Sequence, residues 1–183
     1  MLLLDKLPTH TPTGLKIRSD FRESIKFELL MQDNRINDNE KIPMALNLYY
    51  YEVPNDIVKA IEDMLWFYRC GKEIKTSQKE TSEAKQIYSY EFDDELIYSA
   101  FKDQYNIDLN SIKYLHWWKF KAMFEGLKQD NKILEIMGYR AIDLGKIKDK
   151  EERTRYKKLK KIYALPDMRT QEQKEADFGK AFW

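Results

Sequence analysis

The sequence predicts a mainly α-helical protein of six to seven helices in a two-lobed bundle, with at most one short strand or hairpin near residues 87–92. Three observations carry that expectation. Apolar residues recur every three to four positions, as in Phe21, Ile25 and Leu29 or Ile57, Ile61, Leu65 and Tyr68. Ser, Asp and Asn stand ahead of these stripes where helix caps belong. Alternation with period two is confined to residues 87–92 (IYSYEF), and a lone strand has no partner to take up its backbone groups.

Residues 1–18, with Pro8, Pro12 and Gly14, read as a flexible amino-terminal arm. Ser19 is placed to cap the first helix, with Glu23 in its first turn favouring the helix dipole; Asp33 and Asn34 close it. A second helix is expected from Asp38, with Pro43 near its first turn and Ala45, Leu46, Leu48 and Tyr49 on its apolar side. Asn55 is placed to cap a third, which Gly71 should end as its C′ residue. These helices make an amino-terminal lobe over 19–71. Residues 72–86 lack apolar periodicity and read as a mobile loop or hinge. The carboxy-terminal lobe, 87–165, begins with a helix capped by Asp93. A long helix follows from Asp108 or Asn110 to Lys128, apolar over more than half its circumference and expected at the centre of that lobe. A short helix from Lys132 to Gly138 and a last one from about Asp149 to Ala164 complete it. Residues 166–183 read as a polar tail ending in Phe182 and Trp183.

Composition excludes several function classes. Of 183 residues, 43% are hydrophobic and 34% charged, the balance of a globular chain. Thirty-two basic against 31 acidic residues leave +1, which argues against a protein built to wrap nucleic acid. A single cysteine, Cys70, forbids an internal disulfide and fits a reducing compartment. No apolar run approaches the ~20 residues that span a bilayer, and the opening Leu2-Leu3-Leu4, followed by Asp5 and Pro8, is too short for a signal core. No membrane association is expected.

No catalytic set is visible. The histidines, His10 and His116, are distant in sequence and do not make a metal site with one cysteine. There is no nucleophile elbow, phosphate loop or dinucleotide glycine pattern, and no cofactor is expected. The Asp93-Asp94-Glu95 cluster reads as carboxylates serving a helix start. What remains are candidate interaction residues. His116, Trp117, Trp118, Phe120 and Phe124 form an aromatic cluster, which is either ordinary core or a docking groove. Tyr139 and Arg140 follow. Residues 146–161 hold nine basic and three acidic residues, a net of +6, with Lys157, Lys158, Lys160 and Lys161 foremost. That segment is a solvated helix face, a phosphate-binding patch or a site for an acidic protein. Trp183, an apolar tip on a polar tail, suits insertion into a partner.

The stretches IYSAFKDQYNIDL (97–109), LHWWKFKAMFEGL (115–127) and IMGYRAIDLGKIKDKEERTRYKKLKKIYAL (136–165), together with SDFRESIKFELLMQD (19–33) and FYRCGK (67–72), resemble the gene-product-fifteen family of phages of Gram-positive bacteria. The similarity covers about residues 19–165. It implies a non-enzymatic tail assembly chaperone of a long-tailed phage or prophage. Such a protein binds the tape-measure protein and self-associates during tail morphogenesis, and a second tail assembly chaperone is a further candidate partner. It works in the host bacterial cytoplasm and is not expected in the mature virion. A structural virion component at the tail tip or connector and a helical nucleic-acid-binding regulator are the alternatives.

Overall fold

The computed structural model describes residues 5–73 and 86–167, and among them are seven α-helices, one 3-10 turn and no β-sheet. The helices are α1 (Phe21–Gln32), α2 (Asp38–Tyr49), α3 (Ile57–Tyr68), α4 (Asp94–Tyr105), α5 (Trp117–Glu125), α6 (Lys132–Ala141) and α7 (Lys150–Ile162), with the 3-10 turn at Leu144–Lys146 before α7. The expected mainly helical fold is therefore observed. The strand or hairpin allowed near 87–92 does not form; residues 90–92 are a turn leading into α4.

The caps follow from local chemistry. Asp20, one residue beyond the expected Ser19, caps α1 by accepting the Arg22 N–H at 3.1 Å. Glu40 reaches back to the Asn37 N–H at the start of α2, at 3.4 Å. Asp56, not Asn55, caps α3 through the Lys59 N–H at 3.1 Å. Asn106, at φ 53°, ends α4 in the left-handed conformation that asparagine tolerates.

The chain divides into two compact units. The first is Met1–Ile74 with Tyr114–Phe120 and Asp167–Trp183; the second is Lys75–Lys113 with Lys121–Pro166. The expected hinge lies mostly outside the described residues, as does the polar tail beyond Asp167.

In the first unit, α1, α2 and α3 bury Phe21, Phe27, Leu30, Leu46, Tyr49, Met64 and Phe67. The Tyr49 hydroxyl donates to Ser24 Oγ at 2.8 Å, and neither residue is exposed to solvent. Burial pushes the Tyr49 phenol above its ordinary value. Residues 5–18, read from sequence as a flexible arm, are tied down here. Ile17 is buried, Arg18 N–H donates to Tyr49 O at 2.7 Å, and Thr13 Oγ1 donates to the buried Asp63 carboxylate. Proline and glycine in this stretch mark a turn at Thr11–Gly14 that folds it back on itself.

In the second unit, α4 supplies Ile97, Ala100 and Phe101, α6 supplies Ile133 and Ile136, and Tyr90, Phe124 and Leu127 complete the core. The long helix expected from 108 or 110 to 128 is shorter, Trp117–Glu125. The Asp108 carboxylate does cap, but what it caps is a turn: it accepts the Asn110 and Ser111 N–H groups at 3.0 and 3.1 Å. Residues 115–117 then run extended beside 19–21, with Phe21 N–H on Leu115 O at 2.9 Å and Trp117 N–H on Ser19 O at 2.8 Å. Those two backbone bonds replace the helical ones that the apolar pattern alone predicts.

Candidate partner-binding surfaces

The aromatic segment is core. Trp117 and Phe120 are fully buried in the first unit, where Phe120 stacks on Phe21 at 4.8 Å and Trp117 on Tyr68 at 5.6 Å. Both indoles have a structural task at the end of α3. Trp117 Nε1–H donates to Tyr68 O and Trp118 Nε1–H to Phe67 O, each at 2.8 Å, the second sharing that carbonyl with the Cys70 N–H at 2.9 Å. Behind them the chain turns through Cys70 and Gly71, both at positive φ. Glycine suits the positive φ at position 71, and a Cβ there would press on the Trp118 ring at 3.1 Å. Cys70 is half-buried.

His116 is buried beside these rings. Its Nε2 donates to Pro8 O at 3.0 Å, and its Nδ1 accepts the Trp118 N–H at 3.1 Å. This arrangement uses the neutral ring, and burial lowers the His116 pKa from 6.5, with the nearby Lys119 charge adding to the effect. Phe124 is buried in the second unit between Tyr88 and Tyr90. Of the five aromatic-cluster residues, only Trp118 is half-exposed. Four of these five side chains are buried, so they are packed as core rather than set out along an open groove.

Arg140 is an internal clamp rather than a docking arginine. It forks onto Asp93, with Nη1 to Oδ2 at 2.6 Å and Nη2 to Oδ1 at 2.9 Å, and both residues are buried. Its remaining donors reach Tyr163 O at 2.6 Å and Ile87 O at 3.1 Å. Asp93 does precede α4, but its side chain makes no capping bond to that helix; it takes Arg140 and the Ser89 N–H instead. Tyr139, half-exposed, stacks on Tyr163 at 5.6 Å and holds the end of α7.

The basic helix is open. Not one residue of α7 is buried, and Lys157, Lys158 and Lys161 are exposed. Lys160 is drawn inward, its Nζ donating to Ile142 O at 2.5 Å. The inner face is Arg153, Tyr156, Lys160 and Tyr163; the outer face carries Lys150, Thr154, Lys158 and Ile162 at four-residue spacing. Trp183 lies outside the described residues.

One surface escaped the sequence reading. Between α1 and α2 runs a shallow groove of about 320 Å³ lined by Leu29, Leu30, Met44 and Leu48. Lys26 and Asp33 stand at its ends, ion-paired to Glu23 and Arg35. Hydrogen bonds from the Arg35 side chain and backbone hold the Asp33 carboxyl down at about 2, so it stays ionised and paired. Leu29 and Leu48 were visible as stripe residues. The missed signal was Met44, an apolar residue on the side of α2 that the stripe leaves to solvent, where it is 45% exposed.

Among the described residues no group of three or more potential ligands could hold a metal, and no helix is long and apolar enough to cross a membrane. No curated protein and no solved structure matches the chain. Residues 3–165 match the family described as Bacteriophage Gp15 protein, and with nearly the whole chain covered, this protein belongs to that bacteriophage family.

Proposed function

We propose that this phage protein is a tail assembly chaperone that binds the tape-measure protein and self-associates while the tail is built. Membership of the phage family supports a structural or morphogenesis role. The finer reading rests on the groove between α1 and α2. A tape-measure chain is long, helical and striped with apolar residues, and an amphipathic helix docks by laying such a stripe into an apolar groove. Leu29, Leu30, Met44 and Leu48 offer that groove, and methionine adapts to varied apolar shapes. Lys26 and Asp33, two helical turns or roughly 10 Å apart along α1, mark its ends. A shallow, half-solvated groove suits a partner that must later be released. The role is non-enzymatic, belongs to the host cytoplasm during assembly, and leaves room for a second tail assembly chaperone as co-partner.

The test is co-expression with the tape-measure protein of the same phage. The wild-type chain should yield a soluble complex, and Met44→Glu, at a solvent-exposed position, should lose it while retaining its helical circular dichroism. A complex undiminished by Met44→Glu removes the groove from the account. Mass spectrometry of purified particles separates this role from the alternative of a tail-tip or connector protein, since a chaperone is absent from the finished virion.

A further inference from the structure

The outer half of α7 carries a row of cations that its own unit leaves open. By helical geometry Lys157, Lys150, Lys161 and Lys158 fall within roughly 100° of arc, with Thr154 among them and no acid. Beyond Lys158 come Glu151, the single acid of this half, then Ile162 and Arg155, and all of these side chains are exposed. The shallow hollow along the face is lined by α7 residues alone, from Lys150 to Ile162. Among the described residues none of the four lysines is ion-paired. The acids of the elements packed against α7 are engaged elsewhere, Glu135 with Lys132 at 2.6 Å and Asp143 with Lys146 at 3.8 Å. Asp149 caps the helix through the Glu152 N–H at 2.7 Å, and Glu152 itself lies half a revolution from Lys161. Helix stability does not account for the row. The helix dipole favours cations in the last turn, where Lys160 and Lys161 stand, but opposes one at the first residue, Lys150. Lys157 and Lys158 stand four and three residues ahead of Lys161, like-charge spacings that weaken a helix.

We infer that this face binds the phosphate backbone of double-stranded nucleic acid without reading its sequence. Thirteen residues make α7 about 20 Å long, enough to run beside roughly six phosphates of one strand. Ammonium groups on flexible stems neutralise such phosphates, and the counterions released drive binding. Reading base edges calls for Arg, Asn or Gln, and Arg155 is the only one of these on the outer half. Single strands are held by stacking bases on aromatic rings, but Tyr156 and Tyr163 are taken up by Tyr139, at 6.3 and 5.6 Å. An acidic protein partner would need an apolar or aromatic centre to bury. The one large apolar side chain of the outer half, Ile162, stands at the last residue of the helix and not among the lysines. The near-neutral charge of the whole chain does not oppose this, because charges act within a Debye length of about 10 Å and a docking strand meets the local row.

Fluorescence anisotropy of a labelled DNA duplex of about 20 base pairs and arbitrary sequence, titrated with the full-length protein, tests this. The wild-type chain should bind with a dissociation constant of roughly 1–100 μM near physiological salt. The logarithm of its affinity should fall with the logarithm of salt concentration at a slope of about −3 to −4, close to one for each phosphate neutralised. Lys150→Gln, Lys157→Gln, Lys158→Gln and Lys161→Gln together keep helix propensity at exposed positions, so circular dichroism should not change. That variant should bind at least about tenfold more weakly, and Lys158→Gln alone should reduce the slope by about one. The same replacement at four exposed lysines outside α7, Lys59, Lys102, Lys113 and Lys128, should leave binding within about twofold of wild type. A wild-type chain that fails to bind at about 50 mM salt, a fourfold α7 variant that binds as well as its parent, or a control variant that loses as much each overturns the assignment. Polyglutamate that competes as strongly as unlabelled duplex would make the face a site for an acidic protein, and a single strand bound as tightly as the duplex would remove the double helix as its occupant. Capture of the tape-measure protein is scored separately, so failure here leaves the α1–α2 groove untouched.

Discussion

Removing the Arg140 guanidinium should cost the protein much of its stability, and the structure sets the size of that loss. Arg140 is 9% and Asp93 3% exposed, so the pair is screened by little water. Arg140→Met strips the Asp93 carboxylate of two charge-assisted bonds, at 2.6 and 2.9 Å, and leaves it the Ser89 N–H alone. It also removes the donors to Tyr163 O and Ile87 O. An exposed ion pair lost in this way would cost under about 1 kcal/mol. A buried carboxylate left unpaired costs about 3–5 kcal/mol, a large share of the roughly 5–15 kcal/mol that holds a domain folded. Arg140→Lys should fall between, because one ammonium cannot reproduce the fork and reach two carbonyls as well. Asp93→Leu combined with Arg140→Met should recover most of the loss, since no charge then remains buried. Urea denaturation followed by circular dichroism at 222 nm reads all three. A loss below about 1 kcal/mol in Arg140→Met, or a double variant no more stable than the single one, would refute the clamp.

His116 predicts a pH dependence with a definite sign. Its pKa is lowered from 6.5 on folding, so the unfolded chain binds the proton more readily than the folded protein. The stability it contributes is complete above about pH 6.5 and is lost as the pH falls from there through the lowered folded value. Melting temperatures measured between pH 7.5 and 5.0 should drop for wild type and drop less for His116→Gln, which keeps a donor for Pro8 O; equal slopes would count against it. Gly71→Ala should destabilise by roughly 1–2 kcal/mol, from the positive φ alone, with the added methyl pressing on the Trp118 ring. The denaturation midpoint measures it, and a neutral outcome would mean that the turn after α3 relaxes freely.

Helix existence was legible because it depends on short-range patterns. The stripe Phe21, Ile25, Leu29 and the helix starts expected near Asp38 and Asp93 lie within a few residues of what they specify. The misplacements share one cause, a long-range partner that outbids a local one. Tyr114 to Phe120 has the periodicity of a helix interior, but its first residues pair with Ser19 and Phe21 nearly a hundred positions away. Asp93 has the position of a cap, yet its carboxylate is claimed by an arginine forty-seven residues on. The same reasoning explains why the aromatic cluster stayed open between core and groove. Trp117 and Phe124 look alike in sequence, and only the packing of α1 and α3 on one and of Tyr88 and Tyr90 on the other shows that both are covered. The α1–α2 groove was hidden for a simpler reason, that a hollow between two helices depends on how they cross.

Tyr114 to Phe120 joins the first unit after some forty residues that belong to the second. During synthesis α1, α2 and α3 therefore leave the ribosome long before the two indoles that close the end of α3 have been made. Until translation passes Phe120, the rings that pack on Phe21 and Tyr68 are missing from the nascent chain. A fragment ending near residue 74 is thus an incomplete body and not a minimal domain, and any dissection of this protein has to keep residues 114–120 with the amino-terminal helices.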